Sequence, residues 1–291
     1  MSEATSTYQH SGKVPWFRSL AYRSAAIIVA GALGQLYAQA AVAATQWILD
    51  VFLLGLFAVA LSVLSVTTMR LSRVRSDRAA RTTFLLIAVV GLWYHWAAYI
   101  TLLLQQQGSA TAIHPLDLAA SPLILGSFTL AYLESGWTVD GTTVSGVILA
   151  VVCGLEALTV FAAAAWVPQS YYVDLPFCEA CSEWCRKVKN IARFAPTDDQ
   201  AFLTAVRGSE WPVVLATGTI ALNAKEGAWV ECDLEVCPKC AQTVTLDAHA
   251  VAAAKNRKGE DATTRTQVIS NQRIAVTDAK RLVALGRQAR R

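Results

Sequence analysis

No lysine or arginine occurs between Thr82 and Ser170, a run of 89 residues. Charged residues of all kinds make up only 16% of the chain, against roughly 25% in an ordinary soluble domain. With 54% hydrophobic residues, this scarcity argues against a conventional soluble protein. Chemical signatures are missing too. There is no Gly-rich phosphate-binding motif, no GxSxG elbow and no HExxH string, so no complete nucleotide-binding, hydrolase or helical metalloprotease pattern is present. The first twenty residues are mostly polar and lead into no short apolar core, so a cleaved secretory signal is not expected there.

The charges that exist are unevenly placed. Residues 1–170 carry 8 basic and 7 acidic groups, whereas the last 121 residues carry 17 and 14. Two regions in two solvents are the simplest reading. Thr83–Leu104 and Val144–Trp166 are apolar and long enough, at about 1.5 Å per residue, to cross roughly 30 Å of hydrocarbon. The second of them ends at Trp166 and Pro168, an interfacial aromatic followed by a helix breaker. Ile48–Val66 is a third candidate span. Ser24–Ala43, Ala-rich and carrying Gln35 and Gln39 on one helix face, is a fourth, with those amides turned into a bundle.

Basic residues set an expected orientation. Lys13, Arg18 and Arg23 precede the first span, and Arg70, Arg73, Arg75, Arg78 and Arg81 fill the connection between the second and third. Arginine is costly to translocate, so both regions and both termini are expected to be cytoplasmic, in an inner membrane. Leu116–Leu133 is mostly apolar but holds Asp117, Pro122 and Gly126. Over about 118–135 it suits an interfacial or re-entrant helix, and a fifth span there would place the C-terminal region outside. The expected domains are a polar segment 1–20, a helical membrane bundle 21–170 and an α+β cytoplasmic domain 171–291.

Six of the seven cysteines follow the last span: Cys178, Cys181, Cys185, Cys232, Cys237 and Cys240. The strings PFCEACSEWC and ECDLEVCPKC each contain a CxxC, and 55 residues lie between the two pairs. A tight turn at each CxxC aims two thiolates at one point, and two such turns supply the four soft ligands of a tetrahedral zinc ion. The expected ligands are Cys178, Cys181, Cys237 and Cys240, holding a structural Zn2+. Lys239 would offset the charge of the thiolates. Residues 229–236 alternate like a strand entering the second turn, and Gln242–Leu246 reads as its return. Iron, a redox dithiol and, if a fifth span exists, disulfides are the competing readings. Over about 65 of the 291 residues, these paired motifs resemble the zinc-ribbon or rubredoxin-knuckle class of small domains. The resemblance implies structural zinc on the same four cysteines, with an elaborated fold accommodating the long insert.

Cys185 and Cys232 are expected to be buried small residues, Cys153 a packing residue within the fourth span, and His249 structural or exposed. In the insert, Thr197 is placed to cap a helix over 198–206, and Trp211–Leu222 is apolar. Asn256–Glu260 reads as a turn, Val268–Val276 as a strand, and Asp278–Leu285 as a helix capped by Thr277. Tyr171, Tyr172, Phe177 and Trp184 are placed to pack the domain on the membrane surface. Within the bilayer, His95 and Glu156 lie near the middles of their spans, at matching depth. Packing, a proton or ion relay, and binding of a lipid or small ligand compete as their role. The expected function is a membrane-anchored zinc-domain scaffold or regulatory protein, acting with a protein partner or as a homo-oligomer beside the lipid bilayer. A small oligomeric transporter or channel component and a membrane enzyme acting on lipids or thiols are the alternatives. The basic tail has few interleaved aromatics, which disfavours nucleic acid as a partner.

Overall fold

Long apolar stretches between charged turns produce four helices of membrane-crossing length. The computed structural model describes residues 8–44, 46–107, 113–139, 141–173, 175–194, 204–205, 208, 210, 227–255 and 261–288. It divides into two units, one of residues 12–172 and one of residues 1–11 with 173–291. The first contains α1 (Trp16–Ala43), α2 (Trp47–Ser72), α3 (Asp77–Gln106), α4 (Pro115–Ala119), α5 (Pro122–Ser135) and α6 (Gly146–Val173). Between α5 and α6 lies a hairpin of β1 (Trp137–Val139) and β2 (Thr142–Val144).

Four of these helices are long and apolar enough to cross a membrane. The chain is a polytopic membrane protein. Every span runs past the expected apolar core; α1, for example, begins at Trp16 rather than near Ser24. Helical hydrogen bonding carries on into flanking residues whose hydropathy no longer marks the span. The segment near 118–135 is two helices, interrupted at Pro122, which has no N–H to continue the first one. Fourteen residues make α5 about 21 Å long, too short to span, and it packs through Leu125 and Phe128 against Ala97 and Ile100 of α3. Val144, expected to open the fourth span, belongs to β2. Gly136 ends α5 at φ +89°, where a side chain would collide with Thr143 and Ser145 of the returning hairpin.

The bundle is apolar on its outer faces, and its interior mixes apolar residues such as Leu61, Phe84 and Ile87 with polar ones. Ile28, Phe52, Val147 and Leu158 are exposed on its outer faces, while Ser62, Ser65, Thr68 and Ser72 line the buried face of α2. Each of these four donates its hydroxyl to a carbonyl of its own helix, and Ser62 also reaches Ala163 of α6 at 3.2 Å. Helices in lipid gain nothing from burying leucine, so close backbone approach and polar contacts hold them. Gly34 shows the approach: a Cβ there would overlap the Gly91 carbonyl oxygen and lie 2.9 Å from the His95 nitrogen.

The second unit carries a short hairpin, β3 (Phe177–Cys178) with β4 (Glu183–Trp184). A four-stranded antiparallel meander follows: β5 (Arg186–Phe194), β6 (Gly227–Val236), β7 (Val244–Lys255) and β8 (Asp261–Arg273), paired in that order. Alternation sends Val230, Cys232 and Leu234 of β6, with Val244, Leu246 and Ala248 of β7, to one face. There they meet Ala279 and Leu282 of α7 (Val276–Gln288), whose apolar residues recur at helical spacing. The return strand is longer than Gln242–Leu246, and β8 ends at Arg273 rather than Val276, which instead opens α7. The cap expected at Thr197, the stretch 211–222 and the turn at 256–260 lie outside the described residues.

The polar start of the chain belongs to this second unit. Tyr8 donates its backbone N–H to Asn271 O at 2.7 Å, and its hydroxyl accepts from the Phe177 N–H at 3.0 Å. Arg273 lies over its ring. Phe177 is 1% exposed and packs edge-on against the half-buried Trp184, within the domain's interior.

Candidate functional site

The two CxxC turns have the same local form. Ser182 (φ 51°) and Ala241 (φ 54°), each directly after the second cysteine of its pair, adopt the left-handed conformation that turns the chain back on itself. In the first turn this reversal joins β3 to β4. In the second, Ala241 N–H bonds to Cys237 O, Cys237 N–H bonds to Thr243 O, and Gln242 N–H points at Cys240 Sγ at 3.4 Å. An N–H aimed at sulfur favours the thiolate.

These turns bring together Cys178, Cys181, Cys237 and Cys240, with all four Sγ atoms within 4.8 Å of one another. Cys178 and Cys237 are buried, and Cys181 and Cys240 are partly exposed. The Sγ atoms of Cys178 and Cys240 lie 3.6 Å apart. A disulfide needs about 2.05 Å, whereas the edge of a tetrahedron with metal–sulfur bonds of about 2.3 Å is about 3.8 Å. The spacing and the all-sulfur donor set therefore fit a structural zinc ion. Burial alone pushes the Cys237 thiol up, but the backbone N–H groups of Cys240 and Lys239 outweigh it and hold the thiol down at about 6. Hydrogen bonding to Cys240 and burial push Cys181 up to about 12.

The other cysteines are placed elsewhere. Cys185 is buried against the four but is not one of them, and its thiol is pushed up to about 12 by burial and the neighbouring sulfurs. Cys232 is on the apolar sheet face beside α7, also raised to about 12, chiefly by burial. Cys153 is in α6. Lys239 Nζ sits 3.7 Å from Glu183 Oε2, at an exposed edge between the two turns.

The opposite sheet face holds a cluster that the motif search missed. Asp233, Glu235 and Asp247 are each at most 2% exposed, and Asp233 directly faces Asp247 across the β6–β7 pair. Like charges so placed repel. Lys187 Nζ contacts Asp247 and lies 3.5 Å from Glu235 and 4.0 Å from Asp233, while Arg265 reaches Asp233 at 3.0 Å. Burial lowers the Lys187 ammonium, but its carboxylate neighbours more than restore it, for a net rise. Each aspartate also accepts the N–H of an asparagine at a break in strand register: Asn190 to Asp233 at 2.7 Å and Asn271 to Asp247 at 2.8 Å. Both asparagines have positive φ. The carboxylates accept these N–H groups where the strand register shifts, which is a structural role. The available signal was the alternation Glu231, Asp233, Glu235 opposite Asp247 and His249. His249 lies 3.7 Å from Asp233, and its pKa is lowered by burial and by Arg265.

In the bundle, His95 Nε2 lies 3.3 Å from Glu156 Oε1, joining α3 to α6. His95 is 3% exposed and stacks on Tyr37 of α1 with ring centroids 4.3 Å apart; Phe57 of α2 also stacks on Tyr37, at 4.6 Å. His114 caps α4 through Nδ1, which accepts from Leu116 N–H at 3.2 Å. No family model, curated protein or solved structure matches the chain, so the cluster of four thiols downstream of four membrane-length helices is what characterises it.

Proposed function

We propose that this protein is a membrane-anchored scaffold or regulatory protein whose cytoplasmic, zinc-ribbon-like domain presents a folded surface to a protein partner. The observation that carries the reading is the convergence of Cys178, Cys181, Cys237 and Cys240 from two turns of matching form. These four would hold the ion, which would supply folding free energy to the domain. Four thiolates leave no position for water or substrate, so the site suits architecture rather than Lewis-acid catalysis. The basic connection 70–81 and the basic residues before α1 support a cytoplasmic orientation. Arg75 N–H bonds to Lys13 O and Gly12 N–H to Arg75 O, both at 2.9 Å, so the two basic segments share one end of the bundle. An even number of crossings returns the chain to its starting side, a requirement supported by the docking of Tyr8 on Phe177 and Asn271.

Metal analysis of the purified full-length protein tests the reading. One zinc per chain is expected, lost in single Cys→Ser variants of the four ligands and retained in Cys153→Ser and Cys185→Ser. Two metals per chain, iron in place of zinc, or a need for Cys185 would overturn it. The contact between His95 and Glu156 favours a second reading, an oligomeric transporter component. Reconstituted flux lost in Glu156→Gln with assembly intact is its test.

A further inference from the structure

A cavity of about 400 Å³ opens in the bundle at the end remote from the 70–81 connection. It lies among the C-terminal turns of α1 and α3, the N-terminal turns of α2 and the N-terminal half of α6. Its wall is aromatic and apolar, with Trp47, Trp96, Tyr99, Tyr132 and Trp137 contributing rings. Its lining includes two carboxyls, Asp50 and Glu156, one imidazole, His95, one thiol, Cys153, and the hydroxyls of Tyr37, Tyr99 and Tyr132; neither lysine nor arginine lines it. Asp50 Oδ1 and His95 Nδ1 are buried without a hydrogen-bond partner, whereas Glu156 Oε1 lies 3.3 Å from His95 Nε2. If His95 and Glu156 neutralise each other, Asp50 still faces the space alone. Connections at this end of the bundle carry no basic residue between 82 and 170, so the local field also favours positive charge.

We propose that this cavity binds an organic cation, an alkylammonium group on an apolar body. Ring faces attract such a cation through their quadrupoles, and the carboxyls of Asp50 and Glu156 supply the counter-charge. A hard metal ion would need six or more oxygen ligands, which two carboxyls in an aromatic wall do not provide. The ammonium group can belong to an ethanolamine lipid headgroup entering from the bilayer or to a free amine. The site is independent of the zinc reading, because its lining lies wholly in the helical unit.

The test uses full-length protein in an uncharged maltoside detergent, titrated with benzyltrimethylammonium and followed by tryptophan fluorescence. Its carbon isostere neopentylbenzene, which differs only in charge, is titrated in parallel. Saturable binding of the ammonium is expected, with the isostere at least about tenfold weaker. Asp50→Asn and Glu156→Gln should each weaken the ammonium at least about tenfold without changing the isostere, and Asp117→Asn, outside the lining, should leave both unchanged. Native mass spectrometry from nanodiscs of mixed phosphatidylethanolamine and phosphatidylglycerol separates the sources. Ethanolamine lipid retained by the wild type and lost in Asp50→Asn identifies the headgroup, while binding of the free cation without retained lipid identifies a soluble amine. Equal affinity for the isostere overturns the proposal, and this holds even if both variants fail to fold. Wild-type affinity in well-folded Asp50→Asn and Glu156→Gln also overturns it, as does failure of both the probe and the lipid to bind.

Discussion

The two units solve opposite packing problems. In the helical unit Leu158 and Phe52 point outward, and serines, a histidine and close glycines share the interior with Leu61, Phe84 and Ile87. In the cysteine unit Leu234, Leu246 and Leu282 are at most 1% exposed, and charge gathers on the far sheet face. The difference follows from the solvent. Lipid does not drive leucine inward, so the bundle depends on backbone approach and on polar groups that must find one another. Water does drive it inward, but one sheet and one helix bury a modest core, so the second unit needs a further source of stability, which the four thiols are placed to supply.

Removing the metal is the sharpest way to break the comparison. A structural zinc site contributes on the order of 10 kcal/mol or more to folding. Chelation, or Cys237→Ser, is therefore expected to unfold the second unit and leave the helices intact. Hydrogen exchange should show β6, β7 and β8 losing protection while α1–α3 keep theirs; exchange rising equally in both units would mean that they do not have separate foundations.

Matched leucine truncations come next. Leu282→Ala leaves a cavity beneath the sheet and should cost about 2–5 kcal/mol, read as a lower denaturation midpoint of the second unit. Leu158 faces outward from α6, and Leu158→Ala should cost less than about 1 kcal/mol in detergent or nanodiscs. Comparable losses would contradict the difference in solvent between the two outer surfaces.

Gly34→Val tests the bundle's own dependence on close approach. The added carbons have no room between α1 and α3, so a loss of about 1–3 kcal/mol in bundle stability is expected, with zinc content unchanged. The smallest effect concerns acidity. Because the pKa of His249 is depressed in the fold, protonation favours the unfolded state. Its contribution is present above about pH 6.5 and lost as pH falls through the lower folded value. His249→Gln should flatten part of the acid-side decline in the second unit's unfolding temperature, and leave that of the helical unit unaltered.

Much of this was legible from residue order. Hydropathy located four spans, because a bilayer demands long uncharged stretches, and the doubled CxxC identified the four cysteines that converge. Helix ends were less legible: hydropathy reports where lipid is, whereas helical hydrogen bonds continue through Trp16 or Asp77 into the interface. The hairpin 137–144 was hidden because three-residue strands barely differ from loop in composition. Asp233, Glu235 and Asp247 read as surface charge, since no local pattern shows that Lys187, 46 positions before Asp233, would fold against them.

Sequence by itself determined which segments enter lipid and which thiols can share an ion, because both depend on local composition and short spacing. Only the tertiary structure decided that Tyr8 would complete the cysteine unit from the far end of the chain. It also set His95 against Glu156 and left Asp50 facing an aromatic cavity without a partner. Those outcomes depend on how helices and strands distant in the chain pack, and no run of neighbouring residues encodes that geometry.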